Sequence, residues 1–177
     1  MDAPRLTTIE ISKDYLHFNA AHFTIFSKAQ REDLHGHTFY VRAFIDALVG
    51  EDGLAFDYNL IKVRLENLCD GIDEKVLLPE RSPHLDLIDD GGYLVAVFDG
   101  EKLPFLPRDV VTLPVRNITV EELAAWFLDS LTCESEVMRP NLTRLEIQVS
   151  SGPGQWAGSQ WQAGGDTVTG NEHTENS

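Results

Sequence analysis

The chain has 177 residues, of which 42% are hydrophobic and 24% charged, as expected for one globular domain with a substantial core. Its formal charge of -15 argues against nucleic-acid binding, because a protein that meets phosphates needs a basic face. No apolar run approaches the roughly 20 residues of a membrane span, and residues 1–8 lack the apolar core of a signal peptide. We therefore expect a cytoplasmic protein whose two cysteines, Cys69 and Cys133, are reduced and lie in or near the core.

The first 50 residues alternate between apolar and polar side chains, which predicts two strands. The first strand spans residues 6–18 and continues through small residues around His22, and the polar residues 27–33 form a loop. The second strand spans residues 35–49. The face that it shares with His35 and His37 carries Phe39, Val41, Ala43, Ile45 and Ala47.

Apolar residues at helical spacing predict a helix over residues 59–70, with Gly71 at its C-terminal end. The residues predicted for its buried side are Ile61, Leu65, Leu68 and Ile72. Farther along, Asp89-Asp90-Gly91-Gly92 is a strong hairpin signal between short strands over 85–88 and 93–98.

A second helix begins at Thr119, which with Glu122 fits a capping box. Its buried stripe consists of Leu123, Ala124, Phe127, Leu128 and Leu131. A last strand follows over residues 141–150. The order of elements predicts an α+β domain in which an antiparallel sheet carries two helices on one face. We assign residues 1–162 to this domain, 79–116 to a hairpin insertion, and 163–177 to a disordered tail.

Three histidines form the strongest functional signal in the sequence. His35 and His37 flank Gly36, and on a strand of period two both project from one face. His22 precedes His35 by 13 residues and lies on the neighbouring predicted strand. Three imidazoles with a fourth position left open are the ligand set of a catalytic zinc site. The sequence therefore predicts that His22, His35 and His37 bind Zn²⁺.

The order of motifs resembles the 6-pyruvoyl-tetrahydropterin synthase and 6-carboxytetrahydropterin synthase family over about residues 6–158. The motifs that carry this resemblance are Phe18-x-Ala20-Ala21-His22, His35-Gly36-His37-x-Phe39, Asp57-Tyr58 before Leu60-Ile61-Lys62, Asp73-x-Lys75, Thr119-x-Glu121-x-Leu123-Ala124, and Gly152-Pro153-Gly154-Gln155-Trp156-Ala157. The resemblance implies a tunnelling fold (T-fold), in which sheets from several subunits close into a barrel. It also implies a zinc ion and a pterin substrate of the 7,8-dihydroneopterin triphosphate type, bound between subunits of a homo-oligomer that is usually a hexamer.

The chain departs from the family pattern at three positions. Members that eliminate triphosphate use a cysteine shortly before the paired histidines, whereas here Glu32 stands three residues before His35. This is similar to the branch that cleaves the substrate's side chain to give 6-hydroxymethyl-7,8-dihydropterin. The family's Asp-His catalytic pair appears as Asp73-Glu74, and the late ring-anchoring glutamate is replaced near Ser150-Ser151, while Glu121 matches the second ring-binding glutamate.

The resemblance predicts catalytic roles for Glu32, Asp73 and Glu74 and substrate binding by Glu121. Each of these residues also has a plainer interpretation. Glu32 could be a solvated loop carboxylate, and Asp73 and Glu74 could cap a helix end or face solvent. Glu121 could be a first-turn acid that suits the helix dipole. We expect burial to raise the pKa of Glu32 toward the working pH. Three other functions stay open: triphosphate elimination to 6-pyruvoyl-tetrahydropterin, an inactive zinc- and pterin-binding protein, and an enzyme acting on unphosphorylated dihydroneopterin.

Overall fold

The computed structural model describes residues 5–138 and 141–164. The predicted tail, apart from Ala163 and Gly164, lies outside these residues. The elements in chain order are β1 (Arg5–Ile11), β2 (His17–His22), β3 (Ile25–Ser27), β4 (Gln30–Arg31), β5 (His35–Val49), α1 (Asn59–Ile72), β6 (Lys75–Pro79), β7 (Asp86–Asp90), β8 (Tyr93–Phe98), β9 (Glu101–Phe105), a 3-10 turn (Pro107–Asp109), β10 (Val110–Leu113), α2 (Val120–Thr132), β11 (Leu142–Ser150) and β12 (Ala157–Gln162).

A seven-stranded sheet forms the body of the molecule, in the order β10-β6-β2-β5-β11-β12, with β1 also paired to β5. The predicted α+β class is confirmed, although the sheet is mixed. β6 runs parallel to both β2 and β10, and the other pairs are antiparallel. A parallel neighbour needs a long crossover, and the connection from β2 to β6 contains α1.

The prediction of one strand over residues 6–18 is wrong, because the chain turns between β1 and β2. Both strands pair with β5, β1 from Ile11 opposite Ala43 and β2 from His17 opposite Tyr40. The turn is closed by the amide of Leu16, which donates to the Lys13 carbonyl at 2.9 Å, while the Leu16 side chain is fully buried. Alternation continues on both sides of this turn, so the pattern in the sequence does not reveal the break.

The long strand β5 has the predicted bounds and face. All five apolar residues assigned to the face of the histidines are buried. Four of them, Phe39, Val41, Ala43 and Ile45, pack with α1 and α2 in one core. The stripe predicted for α2 is also confirmed, since all five of its residues are buried.

The two helix ends differ from the prediction in detail. Thr119 caps α2 by accepting from the Glu122 amide, but the Glu122 carboxylate accepts from the Arg116 amide at 2.8 Å rather than closing the box. Helix α1 continues to Ile72, past the predicted Asp70, and Cys69 rather than Leu68 occupies its buried side. Neither of the helices in the described part of the chain is long and apolar enough to cross a bilayer.

The predicted hairpin of β7 and β8 is present, with Gly91 and Gly92 at its turn with φ of 64° and 90°. A third strand, β9, extends it into a small sheet that the sequence does not predict, because Pro104 argues against a strand. Proline is tolerated there since β9 lies at the edge. This three-stranded sheet contributes Ala96 and Phe98 to a second, small core that also contains Phe23, Ile25, Leu78 and Leu85.

Only one cysteine matches the predicted burial: Cys69 is buried, whereas Cys133 is exposed at the end of α2. Burial, together with the nearby Asp70, Asp73 and Glu66, raises the pKa of Cys69 to about 12. The thiolate is the reactive form, so Cys69 should be inert in the folded protein.

We expect a chromogenic disulfide reagent to modify Cys133 alone, and Cys133→Ser to abolish the reaction until denaturant is added. Rapid modification of Cys69 in the native protein would contradict this arrangement.

Candidate metal centre and active site

Strands β2 and β5 bring the three predicted histidines together. His22 lies directly opposite His35 in the antiparallel register, and the small Ala20 lies opposite His37. The ring centroids are 4.8 Å apart for His22 and His35, and also for His35 and His37, while His22 and His37 are 5.3 Å apart. Their nearest ring nitrogens lie within 4.8 Å of one another, so the cluster could hold a metal ion.

Hydrogen bonds fix the orientation of two of these rings. His22 Nδ1 donates to the Ile118 carbonyl at 2.9 Å, and His35 Nδ1 donates to the Asp33 carbonyl at 2.7 Å. These bonds leave Nε2 of each ring with a lone pair, which is the arrangement expected of metal-binding histidines. His22 Nε2 is buried and lacks a hydrogen-bond partner in the described residues, which fits a nitrogen that binds a metal.

The protonation state of His22 suits the same role. Burial lowers the pKa of His22 below its ordinary value, and repulsion from His35 and His37 acts in the same direction. The bond to the Ile118 carbonyl and the Glu32 carboxylate oppose the shift but do not cancel it. His22 is therefore neutral at physiological pH, as a ligand must be.

A carboxylate lies beside the cluster. Glu32 follows β4, and its Oε2 lies 3.9 Å from His35 Nε2. The backbone amide of Thr24 donates to the same Oε2 at 3.0 Å, and the Glu32 amide donates to the Thr24 carbonyl at 2.9 Å. Glu32 is thus bound on both its backbone and its side chain, which directs the carboxylate toward the histidines.

The predicted rise in the pKa of Glu32 is wrong. Partial burial acts to raise it, but hydrogen bonds from Thr24 and the nearby imidazoles of His35 and His22 outweigh burial and lower the pKa. The carboxyl is about 38% exposed, so burial is too incomplete to dominate. Glu32 is consequently ionised at neutral pH and available as a base.

The loop predicted over residues 27–33 contains the short strand β4, which pairs with β3 in a hairpin directly before Glu32. Asn117 attaches this hairpin to the segment before α2. Its Oδ1 accepts from the Ile25 amide at 3.1 Å and its Nδ2 donates to the Ile25 carbonyl at 2.8 Å. The sequence reasoning missed Asn117, because one asparagine before a helix resembles an ordinary cap and no local pattern identifies a partner 92 residues away.

Asp73 and Glu74 lie at the start of the connection into β6, on the His37 side of the cluster. Glu74 has φ of 56°, in the left-handed region that non-glycine residues seldom adopt. With Lys75 and Asp109 it borders a cavity of about 550 Å³ that His37 also lines. Asp73 faces β2 instead, where its Oδ1 accepts from the Asn19 amide at 2.7 Å and from Asn19 Nδ2 at 3.3 Å.

These contacts predict a structural contribution from Asp73. We expect Asp73→Ala to lower the free energy of unfolding by about 1–2 kcal/mol, since a charged acceptor of two hydrogen bonds is lost. Asp70→Ala is the matched control, an exposed acid in the last turn of the preceding helix α1, and should change that free energy by less than about 0.5 kcal/mol. Denaturant unfolding measures both, and equal values for the two variants would contradict the assigned contact.

Glu121, which the resemblance predicts to bind the ring, and Ser150, near the place of the missing ring-anchoring glutamate, lie on different elements. Glu121 is exposed in the first turn of α2, three residues after Ile118, whose carbonyl holds His22. Ser150 ends β11 and is fully buried, and its hydroxyl is hydrogen-bonded to the backbone of Gly152. The Ser150 side chain is therefore already satisfied within the chain.

The mixed sheet, its two packed helices and the three-histidine cluster define a tunnelling-fold protein with a candidate metal centre on β2 and β5. The chain belongs to the 6-pyruvoyl tetrahydropterin synthase family, whose model matches residues 10–160. Enzymes of this family are lyases that act on pterins.

Individual relatives agree with this assignment. A curated protein of Methanocaldococcus jannaschii, "Putative 6-carboxy-5,6,7,8-tetrahydropterin synthase", is 27% identical over 146 residues, which cover 80% of this chain and 88% of that protein. The crystal structure of 6-pyruvoyl tetrahydropterin synthase from Plasmodium vivax has a TM-score of 0.83 and 25% identity, covering 89% of this chain and 99% of that one. A variant of the Plasmodium vivax protein, in which a glutamate described as a catalytic residue is replaced by alanine, has a TM-score of 0.82 at the same identity and coverage.

Proposed function

We propose that this protein is a zinc-dependent pterin lyase that cleaves the side chain of 7,8-dihydroneopterin triphosphate to give 6-hydroxymethyl-7,8-dihydropterin. The observation that carries the proposal is the Glu32 carboxylate, 3.9 Å from His35 Nε2. A carboxylate suits removal of a proton from a hydroxyl, which starts the cleavage, whereas elimination of triphosphate requires a proton to be taken from carbon. Neither cysteine supplies the thiol that the family uses for elimination, since Cys69 is buried in α1 and Cys133 lies at the end of α2.

The Plasmodium vivax protein supports the role of Glu32 by analogy. That protein has a glutamate described as a catalytic residue, and its fold matches this chain closely. In this chain Glu32 is the acid next to the three histidines, and its low pKa keeps it in the basic form.

His22, His35 and His37 fit zinc by their donor set. They offer three imidazole nitrogens. His22 is neutral, and its buried Nε2 has no hydrogen-bond partner among residues 5–138 and 141–164. When bound, the zinc ion would act as a Lewis acid toward the side-chain hydroxyls of the substrate.

The chain's own residues would perform the proton transfers. Glu32 takes the proton of the hydroxyl on the second side-chain carbon, and the bond between the first and second carbons breaks. The second carbon becomes an aldehyde and leaves with the rest of the side chain and the triphosphate. The electron pair stays on the first carbon, which is conjugated with the pterin ring, and that carbon then takes a proton to become the hydroxymethyl group.

Three further acids complete the proposal. Glu74 borders the same cavity as His37, which supports the proposal that Glu74 takes part in returning the proton. Asp73 is its proposed partner, because the two form the sequence motif that matches the family's catalytic pair. Glu121 would bind the pterin ring from the first turn of α2. We also propose that the protein is cytoplasmic and assembles as a homo-oligomer, a hexamer by family resemblance, because a T-fold barrel closes only between subunits.

The product assay tests the proposal directly. Zinc-loaded protein is incubated with 7,8-dihydroneopterin triphosphate, and the pterins are separated and identified by mass spectrometry. We expect 6-hydroxymethyl-7,8-dihydropterin as the main product. A 6-pyruvoyl product without the hydroxymethyl compound would establish elimination instead and contradict the cleavage.

The same assay separates the other two functions. Turnover of dihydroneopterin only when the triphosphate is absent would point to an enzyme of a related pterin pathway. Tight binding without turnover would indicate an inactive pterin-binding protein, an interpretation favoured by Glu74 at the position where the family has its catalytic histidine. Either result would contradict the proposed reaction.

A further inference from the structure

Arg31, the residue before Glu32, is held between two aromatic rings. Its guanidinium lies 5.0 Å from the centre of the Phe23 ring and 5.7 Å from that of Phe98. The side chain is only 16% exposed, although it is charged. Stacking of this kind favours arginine, whose planar cation packs on a ring face.

The same guanidinium joins two parts of the molecule. Nη1 donates to the Glu32 carbonyl at 2.8 Å, and Nη2 lies 3.5 Å from Glu101 Oε2. Phe98 ends β8 and Glu101 begins β9, so the tight turn between these strands presents both groups to Arg31. Arg31 therefore connects the three-stranded sheet of β7, β8 and β9 to the backbone of Glu32.

The contacts differ in strength. Glu101 is 73% exposed, so its ion pair with Arg31 is screened by water and contributes little. Phe98 is 4% exposed, within the small core of the three-stranded sheet. The stacking and the hydrogen bond to the Glu32 carbonyl are therefore the contacts that fix Arg31. Both backbone polar groups of Glu32 are bound, the carbonyl by Arg31 and the amide by the Thr24 carbonyl.

We propose that Arg31 is a positioning residue for Glu32, and that the three-stranded sheet is the support against which Arg31 is held. The inference rests on the proposed function, because it matters for catalysis only if Glu32 acts as the base. In this arrangement the sheet over residues 86–105 sets the direction of the Glu32 carboxylate without touching the substrate.

Arg31→Met tests the inference, since methionine keeps an apolar side chain in the space but removes the cation and the hydrogen bond. We expect kcat to fall about 10- to 100-fold, the effect of a misplacement near 1 Å, with KM within about twofold and zinc content unchanged. Arg81→Met is the matched control, because it removes the same charge from an exposed position just before β7. Phe98→Leu keeps the core apolar, removes one stacking partner, and should lower kcat in the same direction by a smaller factor.

A double-mutant cycle separates positioning from a general structural role. If Arg31 acts through Glu32, then Arg31→Met should have no further effect on turnover in a Glu32→Ala background. A further loss of the same factor in that background would overturn the inference.

Hydrogen exchange gives a readout that does not need activity. Arg31→Met should speed exchange of the backbone amides of Thr24 and Glu32, while the amides of β5 stay protected. Unchanged exchange at Thr24 and Glu32 would overturn the inference. If Arg31→Met has normal turnover while Glu32→Ala has lost turnover, only the inference about Arg31 is overturned. If Glu32→Ala itself has normal turnover, the catalytic role of Glu32 is overturned, and the inference with it.

Discussion

Replacing Glu32 with alanine is expected to lower kcat for side-chain cleavage by about 10²- to 10⁴-fold, the range typical of a lost general base. The substrate should still bind, because Glu32 is one carboxylate beside the histidines and the proposed ring contact, Glu121, lies on α2. The lowered pKa of Glu32 keeps the wild-type base ionised at neutral pH, so activity should not need alkaline pH.

Asp33→Asn is the control for this prediction. Asp33 is the adjacent, exposed acid, and only its backbone carbonyl contacts His35. The charge removed is the same, yet kcat should remain within about twofold of wild type. Steady-state kinetics on both variants with matched zinc content decide the question, and a Glu32→Ala enzyme with undiminished kcat would remove Glu32 from the mechanism.

Replacing His22 with alanine should have the second large effect, on zinc binding. His22 is the most buried of the three histidines, ends β2, and is hydrogen-bonded to Ile118 in the segment before α2. We expect zinc affinity to fall by more than about 100-fold, beyond the 10- to 100-fold loss typical of residues that only orient a ligand. Competition with a chromophoric chelator measures this affinity.

His84→Ala controls for the loss of a histidine as such, because His84 is exposed and lies outside the cluster. A ligand that binds only the native state raises its stability. A chelator should therefore lower the melting temperature of wild type and His84→Ala but leave that of His22→Ala unchanged. Retention of full zinc affinity in His22→Ala would show that the metal is bound elsewhere.

The sequence predicts the metal-site residues as a group because their signal is local. On β5 the period of two places His35 and His37 on one face. The same period predicts that Phe39 and every second residue after it lie on that face, and these residues are buried. The position of His22 depends on a strand pairing that puts it opposite His35. That pairing followed from the expected antiparallel neighbours, even though the strand leading to His22 begins 11 residues later than predicted.

The surroundings of Glu32 could not be predicted in the same way. The segment 27–33 is polar, so its composition indicates a loop, yet the hairpin of β3 and β4 is held by contacts distant in sequence. Asn117 bonds Ile25, and Arg31 packs on Phe98, contacts across 92 and 67 positions of the chain respectively. The pKa of Glu32 depends on the folded positions of Thr24, His35 and His22, which composition does not reveal, so burial considered alone gives the wrong direction.

Strands β9, β10 and β12 also escaped prediction for physical reasons. Pro104 in β9 and glycine and polar residues in β12 weaken the strand pattern, and β10 is only four residues long. Each is stabilised by pairing with a neighbour rather than by its own composition, β9 with β8, β10 with β6 and β12 with β11.

The most direct test of the proposed cleavage is the fate of the proton at carbon. Zinc-loaded protein is incubated with 7,8-dihydroneopterin triphosphate in D₂O, and the pterin product is analysed by mass spectrometry and NMR. Cleavage between the first and second side-chain carbons predicts 6-hydroxymethyl-7,8-dihydropterin carrying one solvent deuterium on the hydroxymethyl carbon. A pterin that keeps all three side-chain carbons would contradict it.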